Sequence, residues 1–135
     1  MEDLVEGYLR KAHVEYYNEM YLTEIESKWG IDLSAILAEG TSTKRWDFVV
    51  KRPSCIYVIE TNFYSSGGSK LTETARSYKM IAEESRSIPG FKFVSITDGG
   101  GWMNARRNLE ETFSVLADIY NIADMERNVF TTLFA

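Results

Sequence analysis

Lys44-Arg45-Trp46-Asp47-Phe48-Val49-Val50-Lys51, followed by Arg52-Pro53-Ser54 and by Cys55-Ile56-Tyr57-Val58-Ile59-Glu60-Thr61-Asn62, reads as an antiparallel hairpin. Two apolar runs flank a Pro-Ser turn signal, and each run carries one carboxylate. Asp47 lies six residues before Pro53 and Glu60 six residues after Ser54, so a symmetric turn sets them opposite each other. Opposed side chains on paired strands have Cβ atoms roughly 5 Å apart, and like charges there are destabilising. A divalent cation relieves that cost, because hard cations take carboxylate oxygens and neutralise the pair. Glu60 and Asn62 are two apart on one strand and share a face. A carboxylate ending the run 55–59 is costly to bury unless it is neutralised or coordinated. On pattern alone a second arrangement stays open, with both acids on a solvated face paired to Lys51 or Arg45.

The rest of the chain sets bounds on that hairpin. At 135 residues it is long enough for one domain, spanning 1–135, that buries about two-thirds of its unfolded surface. Hydrophobic content of 44% and charged content of 26% are ordinary for a soluble globular protein. No apolar run approaches the ~18 residues of a membrane span, and the acidic N-terminus is unlike a signal peptide. The expected compartment is the cytoplasm, with no membrane partner. Cys55 is the sole cysteine, which excludes internal disulfides and a thiolate metal cluster, and its apolar strand suggests packing. His13 is the sole histidine, which removes Ser-His and Cys-His catalysis and most zinc chemistry.

Net charge is −5, which argues against a polyanionic partner until its distribution is considered. Residues 1–40 hold nine acids and three bases, and residues 111–135 hold four acids and one base. Residues 41–110 hold seven acids and eleven bases, among them Lys44, Arg45, Lys51, Arg52, Lys70, Arg76, Lys79, Arg106 and Arg107. The carboxylate pair therefore sits in the one basic block, where a phosphate backbone would feel a favourable local field. A solvated charged surface gives the same count.

Along the chain, Leu4, Val5, Tyr8, Leu9 and Ala12 mark one face of a first helix. Residues 14–22 suggest a strand, and Thr23 opens a short helix that ends at Gly30. Residues 31–43 look irregular. After the hairpin, Ser69 is a fair cap for a helix with Leu71, Ala75, Tyr78 and Ala82 inward, ended by Pro89-Gly90. Residues 91–97 alternate as a strand, and Asn104 can cap a final long helix with Leu109, Phe113, Leu116 and Tyr120 inward. The order predicts an α/β domain, a mixed central sheet flanked by helices.

Other candidates carry weaker chemistry. Glu2 and Glu6, one turn apart on the first helix, can reach the same region as Asp47, or serve only to stabilise the helix N-terminus. The segments 65–70 and 98–101 are Gly-rich loops before helix N-termini, where backbone N–H groups favour phosphates. Neither matches a P-loop or dinucleotide fingerprint, and ordinary turns explain them as well.

The strings Trp46-Asp-Phe-Val-Val, Tyr57-Val-Ile-Glu-Thr-Asn-Phe-Tyr, Gly67-Gly-Ser-Lys-Leu, Glu73-Thr-Ala-Arg-Ser-Tyr-Lys79, Ile96-Thr-Asp-Gly and Asn108-Leu-Glu-Glu-Thr-Phe occur in that order. Together they resemble the DpnII/MboI type II restriction endonucleases, over nearly the whole chain from Glu2 to about Asn128. That resemblance implies a PD-(D/E)XK restriction-endonuclease-like fold and Mg2+-dependent cleavage of duplex DNA at unmethylated GATC. It implies a homodimer on the palindrome and a cognate methyltransferase in the same restriction-modification system. It places Asp47 and Glu60 on the metal-binding acids, with the Thr61 carbonyl as a further ligand and Glu2 as an additional acid from the first helix. Asn62 falls where the wider superfamily usually has its catalytic lysine, and Lys70 beyond the Gly-rich loop is a candidate to restore that charge. Arg76, Lys79, Arg106 and Arg107, with Lys70, are the candidate DNA contacts. Family members carry a substantial segment before the nuclease core, so the chain resembles a core without it. The competing expectations are a non-cutting DNA-binding or interaction module on the same fold, and a structure-specific nuclease.

Overall fold

The hairpin forms around a two-residue loop. Arg52 and Cys55 exchange both backbone hydrogen bonds, at 2.8 and 3.4 Å, across Pro53-Ser54. Proline's fixed φ suits the first loop position, and the apolar runs on either side then pair in the register that the loop dictates. In the computed structural model, residues 2–36, 45–63, 69–98 and 119–135 are described, with only the backbone at 63, 69–75 and 98. The elements are α1 (Glu2–Lys11), β1 (Glu15–Tyr21), α2 (Leu22–Trp29), β2 (Arg45–Lys51) and β3 (Ile56–Phe63). They continue with α3 (Ser69–Ser85), β4 (Phe91–Asp98), β5 (Ile119–Tyr120), α4 (Ile122–Glu126) and α5 (Val129–Leu133).

The five strands lie in sequence order across one mixed sheet. β1–β2 and β2–β3 are antiparallel, whereas β3–β4 and β4–β5 are parallel. A parallel pair needs a long crossover, and α3 supplies it between β3 and β4. Helices cover both faces. Tyr78 and Ile81 of α3, Ile25 of α2 and Leu33 pack with Trp46, Val49, Val58 and Phe93 on one side. Val5 and Leu9 of α1, Met125 of α4 and Phe130 of α5 pack with Phe48, Val50, Ile59 and Ile96 on the other. The expected mixed sheet flanked by helices is the observed architecture.

Local departures have identifiable causes. Leu4 is 42% exposed, because only Val5 and Leu9 of the apolar stripe meet the sheet fully. α2 begins at Leu22, one residue before Thr23; the Tyr21 N–H is taken by the Glu24 carboxylate at 3.1 Å. Gly30 ends it with φ 63°, the left-handed geometry that glycine adopts without penalty. The predicted final helix from Asn104 lies largely outside the described residues. Where it is described it is corrected: Ile119 and Tyr120 pair with Ser95 and Ile96 as a strand, and two short helices follow.

Gly90 shows how tightly the hairpin loop seats against the start of β4. Its φ is 73°, its carbonyl accepts the Ile56 N–H at 2.8 Å, and an added Cβ would lie 3.3 Å from the Ser54 carbonyl oxygen. Gly90→Ala should cost about 1–2 kcal/mol through the left-handed backbone and that contact. Chemical denaturation measures it, and an unchanged midpoint would contradict this account.

Candidate active site

The β2–β3 ladder keeps the expected register, Val50 with Tyr57, Val49 with Val58 and Phe48 with Ile59. Its pairing stops there, one rung short of Asp47 and Glu60. At that point the simple face-to-face carboxylate pair is replaced by a more specific arrangement. Asp47 turns its Oδ2 toward the neighbouring strand, where it accepts the Thr61 backbone N–H at 2.8 Å and the Thr61 hydroxyl at 3.0 Å. A carboxylate thus takes a donor that the next ladder rung would otherwise have used. Hydrogen bonding to a charged acceptor is strong, and it fixes the half-buried Asp47 side chain in one orientation.

Glu2, the first residue of α1, is brought to the same place. Partial burial of its carboxyl, the charge on Asp47 and a hydrogen bond between the two carboxyl groups all raise the Glu2 pKa above its ordinary value. The charge on Glu19 raises it further, and the N-terminal ammonium works in the opposite direction. Glu6 is placed elsewhere. It accepts from the Tyr16 hydroxyl at 3.1 Å and from Asn18 at 3.3 Å, and it pairs with Arg10 at 3.5 Å. Of the two helix acids, Glu2 approaches Asp47 and Glu6 belongs to a surface network.

Glu60 is 5% exposed, at the site end of β3. Its rung partner on β4 is Ser95, and that of Asn62 is Thr97. Both hydroxyl residues are buried, and their side chains hydrogen-bond each other at 2.9 Å. The Asn62 amide donates to the hydroxyl of Tyr78, whose ring packs edge-on against Phe93 with centroids 5.2 Å apart. Asn62 is therefore anchored to α3. Ser95, Thr97 and Tyr78 were not among the predicted site residues. The two hydroxyls alternate along β4, but only the β3–β4 register shows that they lie beside Glu60 and Asn62. Tyr78 has the spacing of a core residue on its helix, and its hydroxyl's partner has no marker in the sequence.

Among the described residues, no group of three His, Cys, Asp or Glu side chains gathers as a metal site. The nucleus present is the Glu2–Asp47 pair, with Glu60 one strand away. All three offer hard oxygen donors, and a cation could neutralise the first two, whose carboxyl groups hydrogen-bond each other. That chemistry fits Mg2+ or a similar hard ion. Removing one of the negative charges should therefore relieve the cation-free protein. A raised carboxyl pKa contributes stability that is complete below the ordinary carboxylate range and lost as pH rises through the raised value. With EDTA present, Glu2→Gln should melt at or above the parental temperature at neutral pH, and the difference should vanish in acid. Thermal melts at both pH values test this, and a variant that melts lower at neutral pH would contradict it.

The expected DNA contacts are only partly placed. Arg76 is exposed on α3 and Lys79 is half-buried on the same helix. Lys70 lies at the start of α3, but its side chain is outside the described residues, as are Arg106 and Arg107. A cavity of about 590 Å³ opens at the opposite end of β3 from Glu60, lined by residues that include Ser54, Cys55, Arg86 and Lys92. No helix among the described residues is long and apolar enough to cross a membrane.

Comparison with known proteins finds similarity along nearly the whole chain. A family profile described as "DpnII restriction endonuclease" matches residues 1–132. The chain is 49% identical to the type II restriction enzyme DpnII of Streptococcus pneumoniae, over 98% of this chain and 48% of that protein. It is 39% identical to the type II restriction enzyme MboI of Moraxella bovis, over 76% of this chain and 35% of that protein. With the type II restriction enzyme MjaIII of Methanocaldococcus jannaschii the identity is 34%, over 90% of this chain and 43% of the relative. The chain thus spans about half the length, or less, of the curated relatives it matches. No solved structure matches it. A profile match over almost every residue shows that this chain belongs to the DpnII restriction endonuclease family.

Proposed function

We propose that residues 1–135 are the nuclease core of a site-specific endonuclease, one that hydrolyses phosphodiester bonds at GATC in duplex DNA with Mg2+. The observation that carries the reading is the approach of Glu2 to Asp47, one rung from buried Glu60, in a chain of this family. Mg2+ held by Asp47, Glu60 and the Thr61 carbonyl, with Glu2 beside them, would supply charge neutralisation and a more acidic water. The chain's own residues do the positioning. Thr61 holds Asp47 through two donors, which fixes the aim of the carboxylate. Asn62, tethered to Tyr78 by one N–H, also carries a carbonyl oxygen and a second N–H that can orient the attacking water.

Asparagine orients but brings no charge, so the positive group that the superfamily's lysine supplies must come from elsewhere. Lys70, at the start of α3, is assigned that role. Lys70→Met should slow cleavage by at least about tenfold, the range for loss of one electrostatic contact to the reacting phosphate. An unchanged rate removes the assignment. Arg76, Lys79, Arg106 and Arg107 are assigned to phosphate or base contacts. A palindromic site is read by a two-fold dimer, and a cognate methyltransferase would protect the host's own sites.

Plasmid cleavage in Mg2+, on DNA with and without adenine methylation at GATC, tests this function. Cutting of the unmethylated plasmid alone, at GATC, is the expected result. Salt-sensitive binding with no cutting would instead point to a DNA-binding module on a nuclease fold. Nicking that ignores GATC would point to a nuclease of different target.

A further inference from the structure

β1 and β2 contain a reversal of their pleat that no turn residue announces. Strict alternation puts Trp46 on the same face as Phe48 and Val50, and Met20 on the same face as Tyr16. Phe48, Val50 and Tyr16 do pack on the α1 side of the sheet. Trp46 and Met20 pack on the α3 side, with Val49 and Tyr17. The Trp46 ring lies 5.9 Å from that of Phe93, whereas the Phe48 ring meets Tyr16 at 6.4 Å on the other face. Both strands therefore change face within one rung.

No residue has been inserted to achieve this. Asn18 pairs with Phe48 and Met20 with Trp46, so the same register runs on either side. The rung between them holds Glu19 opposite Asp47, and it carries no ladder pairing. Glu19 has φ 53°, a left-handed conformation that a non-glycine residue rarely takes inside a strand. Its exposed carboxylate meets Arg45 at 3.6 Å, on the strand that carries Asp47. Unpaired and twisted at this rung, Asp47 is free of the ordinary ladder and reaches Thr61 on one side and Glu2 on the other.

We infer that Glu19 is a positioning residue for Asp47: its left-handed backbone reverses the pleat of β1 and β2 together and so aims the Asp47 carboxylate at Thr61 and α1. The backbone state performs this task; the Glu19 side chain contacts Arg45, and its charge also acts on Glu2. This deepens the nuclease reading, on which its relevance to cation binding rests, but the orientation of Asp47 can be read without a cation or DNA. A residue that tolerates the left-handed state should replace Glu19, and a β-branched one should not.

The test compares Glu19→Gly, Glu19→Asn and Glu19→Val in the full chain. Two readouts are taken: hydrogen exchange of the Thr61 amide by NMR, and Mn2+ affinity by electron paramagnetic resonance without DNA. Glycine and asparagine both remove the Glu19 charge, so they should keep Thr61 protected and bind Mn2+ with equal affinity. Valine should expose the Thr61 amide, with exchange faster by at least about tenfold, and should weaken Mn2+ by a similar factor. If the valine variant does not fold, Glu19→Ala takes its place and should exchange faster at Thr61 than Glu19→Gly does. Parental protection in the valine or alanine variant overturns the inference. Loss of protection in Glu19→Gly overturns it as well, and assigns the role to the carboxylate. If the parental chain takes up no Mn2+ while the Thr61 pattern holds, the nuclease reading fails and the positioning of Asp47 stands.

Discussion

Asp47→Asn should reduce DNA cleavage by at least about a thousandfold, or roughly 4 kcal/mol of transition-state stabilisation, while leaving the fold intact. The substitution is isosteric, and the asparagine carbonyl can still accept from the Thr61 N–H and hydroxyl that now hold Oδ2 at 2.8 and 3.0 Å. What it removes is the negative charge that pairs with Glu2 and would bind the cation. Circular dichroism and denaturation should therefore show a protein at least as stable as the parent in EDTA, because the repulsion between Glu2 and Asp47 is gone. Activity and cation response should fall together. Asp47→Ala separates the two roles, since it also leaves the Thr61 donors without their acceptor and should destabilise the fold by about 1–3 kcal/mol. Cleavage by Asp47→Asn at the parental rate would sink the site assignment.

Glu60→Gln should have the second largest effect. Glu60 is almost fully buried at the end of an apolar strand, a position at which a charge carries a desolvation cost that a neutral amide avoids. The variant should consequently fold as well as the parent, yet lose cleavage by about a hundredfold or more, the scale expected when a charge-stabilising group is removed. Thermal melts supply an independent readout. A ligand present at a hundred times its dissociation constant stabilises a fold by about 2.7 kcal/mol. Millimolar Mg2+ should raise the melting temperature of the parent and move that of Glu60→Gln little. Equal Mg2+ shifts in the two proteins would exclude Glu60 as a ligand.

The hairpin was legible because two local rules agree at it: a Pro-Ser loop flanked by apolar strands, and a symmetric loop that sets the register of every later rung. Val49–Val58 and Phe48–Ile59 follow from those rules alone. The site was legible only to the point where the ladder ends. Whether a carboxylate one rung further out faces its neighbour or turns into the strand plane depends on Glu19. Glutamate has no sequence marker for a left-handed backbone, as glycine or asparagine would. The tether between Asn62 and Tyr78 is similarly tertiary, joining a strand residue to a helix residue that the 3.6-residue pattern assigns to the core.

The C-terminal misreading has a different cause. Leu109, Phe113, Leu116 and Tyr120 have helical spacing, and a two-residue strand such as β5 carries too little pattern to compete with it. Its pairing with β4 is a contact of the folded sheet. One signal was present and would have helped. Asn121 and Asp124 form a reciprocal cap, Asn121 accepting the Asp124 N–H and Asp124 accepting the Asn121 N–H, both at 2.9 Å. That pattern starts a new helix after Tyr120, so no single helix runs through it.

The central claim is that a hard cation binds at the Glu2–Asp47 pair and draws in Glu60 from the neighbouring strand. Crystals of the chain grown or soaked in Mn2+ test it most directly, through the metal's anomalous scattering. The expected result is a peak within coordination distance of both Asp47 and Glu60, lost in crystals of Asp47→Asn. A Mn2+ peak bound only elsewhere on the protein, with the two carboxylates left uncoordinated, would contradict it.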